Sequence, residues 1–330
     1  MEARGLTRAA TMGPVADLVR RSGGRPDPLF RHLGLSPRLA EEPERLILLR
    51  DQLRLIEAAA RSVGDDGFGA RLSAEVGFSG LGGYARRISR SRTVAEAIAR
   101  IHTTIAVDLQ SATATWVERT GRQIKWCYRV TERVELGRQQ NELLALGYQL
   151  SMLRGFAGAR WKPVRIDLPA ARRPVCTAAS EAFRCEVVPG EVAGIVFGVP
   201  VLSLVNPGRT APDDGPVEDP VPRTDDLVAC AERLLDAALL EGRPTLKDLA
   251  ERLETTPRTL QRRLAAAGES FDSLLRRTLH RRADELLAAG HSVTSTAVEL
   301  GYSDTAHFSR AYRSWTGYPP SRGVVRATAR

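Results

Sequence analysis

Ala250-Glu251-Arg252-Leu253-Glu254-Thr255-Thr256-Pro257-Arg258-Thr259-Leu260-Gln261-Arg262-Arg263-Leu264 is matched further along the chain by Ala297-Val298-Glu299-Leu300-Gly301-Tyr302-Ser303-Asp304-Thr305-Ala306-His307-Phe308-Ser309-Arg310-Ala311-Tyr312. Setting Ala250 on Ala297 brings Leu253 onto Leu300 and Thr256 onto Ser303. Each stretch then reads as a helix, a tight turn, a capping residue and a second helix with a basic and polar outer face. The pair predicts two helix-turn-helix units in one polypeptide, an arrangement suited to entering the major groove twice.

In the first unit Leu246, Leu249, Ala250 and Leu253 recur at helical spacing and are expected to face a core. Ala250 is small enough for the next helix to cross close by. Thr256 has the side chain of an N-cap. Pro257 suits the first helical position, where its missing N–H would have no intrahelical partner anyway. Arg258, Gln261 and Arg262 then share one face, while Leu260 and Leu264 point inward. Arginine can bind guanine O6 and N7 in bidentate fashion, and glutamine can do the same for adenine. Glu254 stands in the turn where the second unit has Gly301. A side chain at positive φ is strained, so the first turn is expected to be tighter or differently shaped.

In the second unit Ser303 is expected to cap the reading helix and Asp304 to complement its N-terminus. Phe308 and Tyr312, four residues apart, pack inward, leaving Thr305, Ala306, Ser309, Arg310 and Arg313 more outward. For His307 two roles stay open, contact with DNA and packing against the preceding helix. The apolar phase is offset by about one residue from the first unit, so the halves are similar rather than identical.

Phe271, Leu274, Leu275, Leu279, Leu286 and Leu287 define a connecting helix of roughly 19 residues, or roughly 28 Å. One turn of B-DNA is about 34 Å, so this connector suits two reading helices in successive grooves on one face. Arg276, Arg277, Arg281 and Arg282 lie along it, and phosphate contact and a solvated polar face stand as equal readings.

Residues from about 224 to 320 resemble the DNA-binding domain of AraC/XylS-type bacterial transcription regulators. The resemblance rests on Thr-Leu-Lys-Asp-Leu-Ala-Glu-Arg-Leu at 245–253, Pro-Arg-Thr-Leu-Gln-Arg-Arg-Leu at 257–264 and, most specifically, Gly301 through Ser321. It implies that Arg258, Gln261 and Arg262 read bases in the first unit and that Thr305, His307 and Arg310 are candidates in the second. The family follows Pro-Ser with an aromatic-Arg pair. Ser321-Arg322-Gly323-Val324 departs from that pattern.

The chain of 330 residues is long enough for two or three domains, with a formal charge of +9 and a sequence pI of about 9.9. The excess is not concentrated in the region just described. Residues 224–330 hold 16 basic and 14 acidic side chains, whereas 255–330 hold 12 and 6. Local arrangement, not overall basicity, therefore carries the expectation of DNA binding. Cys127, Cys176, Cys185 and Cys230 form no CxxC and no ligand-like spacing with histidine, as expected of buried thiols in a reducing compartment. No apolar run approaches the roughly 18 residues that span a bilayer. The first residues contain Arg and lack the apolar segment of a signal peptide, so a cytoplasmic chain is expected.

Asn206 through Pro222 is rich in Pro, Gly and Asp and reads as a linker. Upstream, 46–63 and 93–107 read as amphipathic helices, with Leu46, Leu49, Leu53, Ile56 and Ala60 on one face of the first. Thr93 and Glu96 have the spacing of a capping box. Residues 111–118 and 123–130 alternate around Thr120-Gly121, which predicts a β-hairpin. A helix is expected over 139–158, and strands over 164–168, 183–187 and 194–197. This is a mixed α+β domain. Leu33-Gly34-Leu35, Phe78 through Tyr84, Ser91 through Ala97 and Phe183-x-Cys185 resemble the arabinose-binding-like sensing domain of one AraC subfamily over about 30–205. That resemblance implies sensing and dimerisation, not arabinose as the ligand.

Gly77, Gly80, Gly82 and Gly83 fit neither GxGxxG nor GK[ST] and read as a turn between helices rather than a phosphate cradle. Arg86, Arg87, Arg90 and Arg92 read as a solvated face before an anion site. Trp116, Trp126, Tyr128 and Tyr148 read as core before effector pocket. No HExxH, GxSxG or SxxK occurs, and His32, His102, His280 and His291 show no spacing that suggests a metal site or a triad.

The resemblances thus imply an α+β effector-sensing and dimerisation domain over 1–205, a linker over 206–223, and an all-α DNA-binding domain over 224–330 with two helix-turn-helix units joined by a long helix. They imply a regulator rather than an enzyme, with no cofactor. The expected partners are double-stranded DNA, a small-molecule effector, a second copy of the chain and, for an activator, RNA polymerase. A ligand-independent dimeric regulator and an enzyme domain fused to a DNA-binding module remain as alternatives.

Overall fold

A computed structural model describes residues 4–134, 136–208 and 219–321. The departure at Arg322-Gly323-Val324 and most of the expected linker lie outside the described residues. The chain divides into two compact units, one up to Thr224 and one from Asp225 onward.

The first unit combines helices with two sheets. Strand β1 (Leu6–Arg8) pairs antiparallel with β2 (Leu46–Leu48), Leu6 opposite Leu48 and Arg8 opposite Leu46. Between them lie helices α1 (Val15–Arg21) and α2 (Pro26–His32). Helix α3 (Leu49–Val63) follows β2 directly. The expected helix over 46–63 is therefore corrected at its start. Leu46, Ile47 and Leu48 are all buried, as in a strand covered on both faces, and helical periodicity applies only from Leu49. Next come α4 (Phe68–Val76), a 3-10 turn at Phe78–Leu81, α5 (Gly82–Ile88) and α6 (Val94–Asp108). The Gly-rich stretch is thus a turn between helices. Thr93 caps α6 by accepting from Glu96 N at 3.3 Å. The reciprocal half of the box is not made, because the Glu96 carboxylate accepts from Arg92 N at 2.9 Å.

A five-stranded sheet carries the remainder. Its order is β3 (Thr113–Thr120), β4 (Gln123–Val130), β7 (Gly194–Gly198), β5 (Arg165–Pro169) and β6 (Val187–Gly190). The β3–β4 hairpin has Trp116 opposite Cys127, and only the β5–β6 pair is parallel. Helix α8 (Arg173–Phe183) bridges that parallel pair. The expected strand over 183–187 is corrected accordingly. Phe183 closes a helix, Arg184 turns left-handed at φ 56°, and the strand starts at Val187.

Helix α7 (Arg138–Ala157) packs on β4, β5 and β7 and also against α3 and α4. It is buried nearly all round, polar Gln140, Asn141, Glu142 and Gln149 included, as expected of a helix at the centre of a domain. Its crossing with α4 is close. A Cβ on Gly147 would fall 1.7 Å from Ser73 Oγ, and one on Gly69 would fall 2.1 Å from Gln140 O.

The second unit is all helical. It comprises α9 (Leu227–Ala238), α10 (Leu246–Arg252), α11 (Pro257–Ala266), α12 (Phe271–Ala288), α13 (Val293–Glu299) and α14 (Thr305–Thr316). Leu249, Ala250, Leu253, Leu260 and Leu264 are buried in the first helical pair, and Ala297, Leu300, Phe308 and Tyr312 in the second. Among the described residues no helix is long and apolar enough to cross a membrane.

Candidate nucleic-acid interface

Helix α11 begins with a local device. Thr256 Oγ1 accepts from Thr259 N at 3.2 Å, and Pro257 occupies the first turn. The preceding α10 starts with a full capping box, Thr245 with Asp248. The two Thr245 hydrogen bonds hold the Asp248 carboxyl below its ordinary range. With Leu260 and Leu264 inward, Arg258, Gln261 and Arg262 are all exposed on α11.

Helix α14 is capped by Asp304, whose carboxylate accepts from His307 N at 2.6 Å. This corrects the expectation for Ser303, which lies one residue earlier and donates to Asp304 at 3.1 Å. The backbone bond from His307 holds the Asp304 carboxyl below its usual range. His307 and Arg310 are exposed and Thr305 is half-buried. The His307 ring meets the Tyr302 ring edge-on at 5.4 Å, so it packs locally while one side stays open.

The two turns share a closing pattern. Thr255 N donates to Ala250 O and Tyr302 N to Ala297 O, each at 2.9 Å. Glu254 and Gly301 occupy the left-handed position before those donors, at φ 48° and 72°. These are the bonds of a Schellman ending, which requires that backbone angle. The Glu254 side chain is held in the conformation glycine favours, and the first turn is the tighter of the two by one residue. Leu253 reaches its cap Thr256 across two residues, whereas Leu300 reaches Asp304 across Gly301, Tyr302 and Ser303. That extra residue is the source of the offset in apolar phase.

The connector α12 has 18 residues and starts with Ser270 and Ser273 capping each other. Arg277 binds Glu232 on α9 at 2.6 Å and Glu269 at 2.7 Å, and Arg281 pairs with Asp236 on α9 at 3.2 Å. Arg282 pairs with Glu285 at 3.1 Å. Of the four arginines considered for phosphate contact, Arg276 is exposed, while these three are tied to carboxylates within the unit. At the other end, Tyr312 donates to Asp284 at 2.7 Å and packs with His280, Trp315 and Tyr318. This cluster locks α14 onto α12. Sequence reading missed these fasteners, although the Ser270-x-x-Ser273 spacing was visible.

In the first unit Trp126, Tyr128 and Tyr148 line a cavity. Trp116 does not. Its ring lies 5.2 Å from the Arg129 guanidinium, and its indole N–H donates to Glu118. Arg87 pairs with Asp108 at 3.3 Å and Arg92 with Glu96 at 3.7 Å, which leaves no anion cradle built from them. Cys127, Cys176 and Cys230 are buried, and burial pushes the Cys127 and Cys230 thiols up to about 12. Among the described residues no cluster of His, Cys, Asp and Glu could hold a metal.

Two family models match the chain. The arabinose-binding domain of AraC transcription regulators covers residues 23–204, and a helix-turn-helix domain covers 249–323. The helix-turn-helix transcriptional regulator VirS of Mycobacterium tuberculosis is 27% identical over 338 residues, spanning 97% of this chain and 96% of its own. An uncharacterized regulator of the same organism is 42% identical over 79 residues, 24% of this chain and 23% of its own. The crystal structure of the regulator CdpR from Pseudomonas aeruginosa aligns over 89% of this chain and 96% of its own, at 22% identity and a TM-score of 0.40. The chain belongs to the AraC family of helix-turn-helix transcription regulators, with an arabinose-binding-like sensing domain ahead of its DNA-binding region.

Proposed function

We propose that the chain is a cytoplasmic, homodimeric, effector-responsive regulator, not an enzyme, whose α11 and α14 read two successive major grooves. One observation carries the reading. Two polar faces, the exposed Arg258, Gln261 and Arg262 on one and the exposed His307 and Arg310 with half-buried Thr305 on the other, stand on a single compact unit. The α12 connector joins them, at roughly 27 Å against about 34 Å for a turn of DNA. Arg258, Arg262 and Arg310 take guanine and Gln261 takes adenine. Thr305 and His307 contact bases or phosphates beside Arg310. Arg276 meets the backbone. Arg277, already engaged by Glu232 and Glu269, fastens α12 to α9 rather than meeting phosphate.

Residues 1–205 sense the effector and dimerise, 206–223 link, and 224–330 bind DNA. The effector prefers one protomer arrangement and shifts the population that engages DNA and RNA polymerase, with activation as the outcome.

Fluorescence anisotropy on DNA from upstream of the gene and its neighbours tests the reading. Wild type is compared with Arg258→Ala and Arg310→Ala at two salt concentrations, with a scrambled duplex as control. Preference for one native fragment, erased by both substitutions, is expected. Equal binding of all three proteins to scrambled DNA would overturn it.

A further inference from the structure

The cavity between the β3–β4 hairpin, α6 and α7 is unlike ordinary core. One wall is a closed set of neutral hydrogen bonds. Gln52 Nε2 donates to Asn141 Oδ1 at 2.9 Å, and Asn141 and Gln110 both donate to the Tyr128 hydroxyl, at 3.1 and 2.9 Å. Because Tyr128 oxygen already accepts twice, its own proton is the one left to give. Burial raises this phenol above its ordinary range, so it stays protonated.

Other lining groups are not satisfied. Trp126 Nε1, Thr115 Oγ1 and Gln149 Oε1 are buried and have no hydrogen-bond partner among the described residues. These residues are 0%, 3% and 7% exposed. A buried polar group without a partner is costly, so their gathering around one space is not explained by packing. Apart from Thr11, whose hydroxyl donates to Gln52 Oε1, the rest of the lining is apolar or aromatic, including Phe78 and Ile101, and none of it carries a formal charge. The volume is about 50 Å³. One water needs roughly 10–15 Å³ on such a scale and a benzene ring roughly 150 Å³, so the space holds a few waters or a ligand of a few heavy atoms.

We propose that this cavity is the effector site and that it takes a small, uncharged, mainly apolar molecule whose hydroxyl accepts from Trp126 Nε1 and Thr115 Oγ1 and donates to Gln149 Oε1. The proposal rests on the effector-responsive reading above and specifies its ligand class. A carboxylate or ammonium group would be buried here without a counter-charge, which is strongly unfavourable.

The test uses the full-length chain and the NMR signal of the Trp126 indole N–H, assigned with Trp126→Phe. Ethanol, 2-propanol and tert-butanol are the neutral probes, and acetate and methylammonium the charged ones. At least one neutral probe is expected to shift that signal saturably, with acetate and methylammonium silent. Ala145→Leu, which fills the cavity, should abolish the shift while circular dichroism stays native. Gln149→Leu should weaken binding about tenfold. Silence of all neutral probes (a cavity for water only), equal binding of acetate, or binding that survives Ala145→Leu would overturn the proposal. Specific DNA binding by the same sample is scored separately. If it persists while every probe fails, only this inference falls, and if it is lost as well the regulator reading falls too.

Discussion

Glu254 and Gly301 occupy the same left-handed place in two turns of one chain, at φ 48° and 72°, each followed by a donor that closes a Schellman ending. One carries a side chain where its counterpart carries none. Glu254→Gly should therefore relieve strain and stabilise the chain by about 1 kcal/mol. Gly301→Ala should destabilise by at least that much, because its Cβ also meets Arg243 N at 3.3 Å. Calorimetric unfolding of the full-length chain reads both. A loss of stability in Glu254→Gly would mean that the side chain contributes more than the backbone strain removes.

Cap assignment in the second unit is open to a paired substitution. Asp304→Ala should lower the melting temperature and weaken DNA binding, since α14 frays at the end it presents. Ser303→Ala should stay within about 0.5 kcal/mol of wild type. Thermal unfolding and anisotropy on the same samples check the pair, and equal effects of the two substitutions would contradict the assignment.

Arg276 and Arg277 are neighbours in sequence with different surroundings, Arg276 exposed and Arg277 bound to Glu232 and Glu269. Arg276→Ala should leave the melting temperature unchanged and reduce the slope of log affinity against log salt by about 1. Arg277→Ala should leave that slope unchanged and lower the melting temperature slightly, because it frees Glu232 and Glu269 at a half-exposed site. Salt titrations of DNA affinity beside melting curves separate the two. The reverse pattern would return Arg277 to the phosphates.

Glu142 sits on buried α7, and burial pushes its carboxyl up to about 7 despite Arg138 nearby. A carboxyl raised in the folded state contributes stability that is fully present below the unfolded value, near 4.3, and lost as pH rises through about 7. The chain should therefore lose a few kcal/mol between pH 5 and pH 8 from this group. Glu142→Gln should flatten that dependence. Denaturant midpoints at the two pH values provide the check, and an unchanged slope in Glu142→Gln would remove Glu142 as the cause.

The DNA-binding half was legible because its devices are local. Thr256, Pro257, Leu260 and Leu264 each act within a turn of their neighbours, and the 3.6-residue period does the rest. Ser303 and Asp304 show where that legibility ends. Both are good caps, and only the length of the preceding turn selects between them. Leu46 was misread because its apolar phase continues that of Leu49, and strand pairing with Leu6–Arg8 is set by a partner distant in sequence. The helix over Arg173–Phe183 went unread although Val175, Cys176, Ala179 and Phe183 recur at helical spacing and are buried, because two of the four are small side chains with a weak apolar signal. Trp126 was recognised as inward-facing, but alternation along a strand does not say whether the space it faces is filled.

The extra residue between Leu300 and Asp304 has a further consequence. Counted from their caps, Leu260 and Leu264 stand at the same places as Phe308 and Tyr312, so both helices turn the same side to the core of their unit. The added residue lengthens the path from α13 to α14 without rotating the buried side of α14. A one-residue change in chain length is thus absorbed entirely outside the helices, and the inward pattern of each survives it.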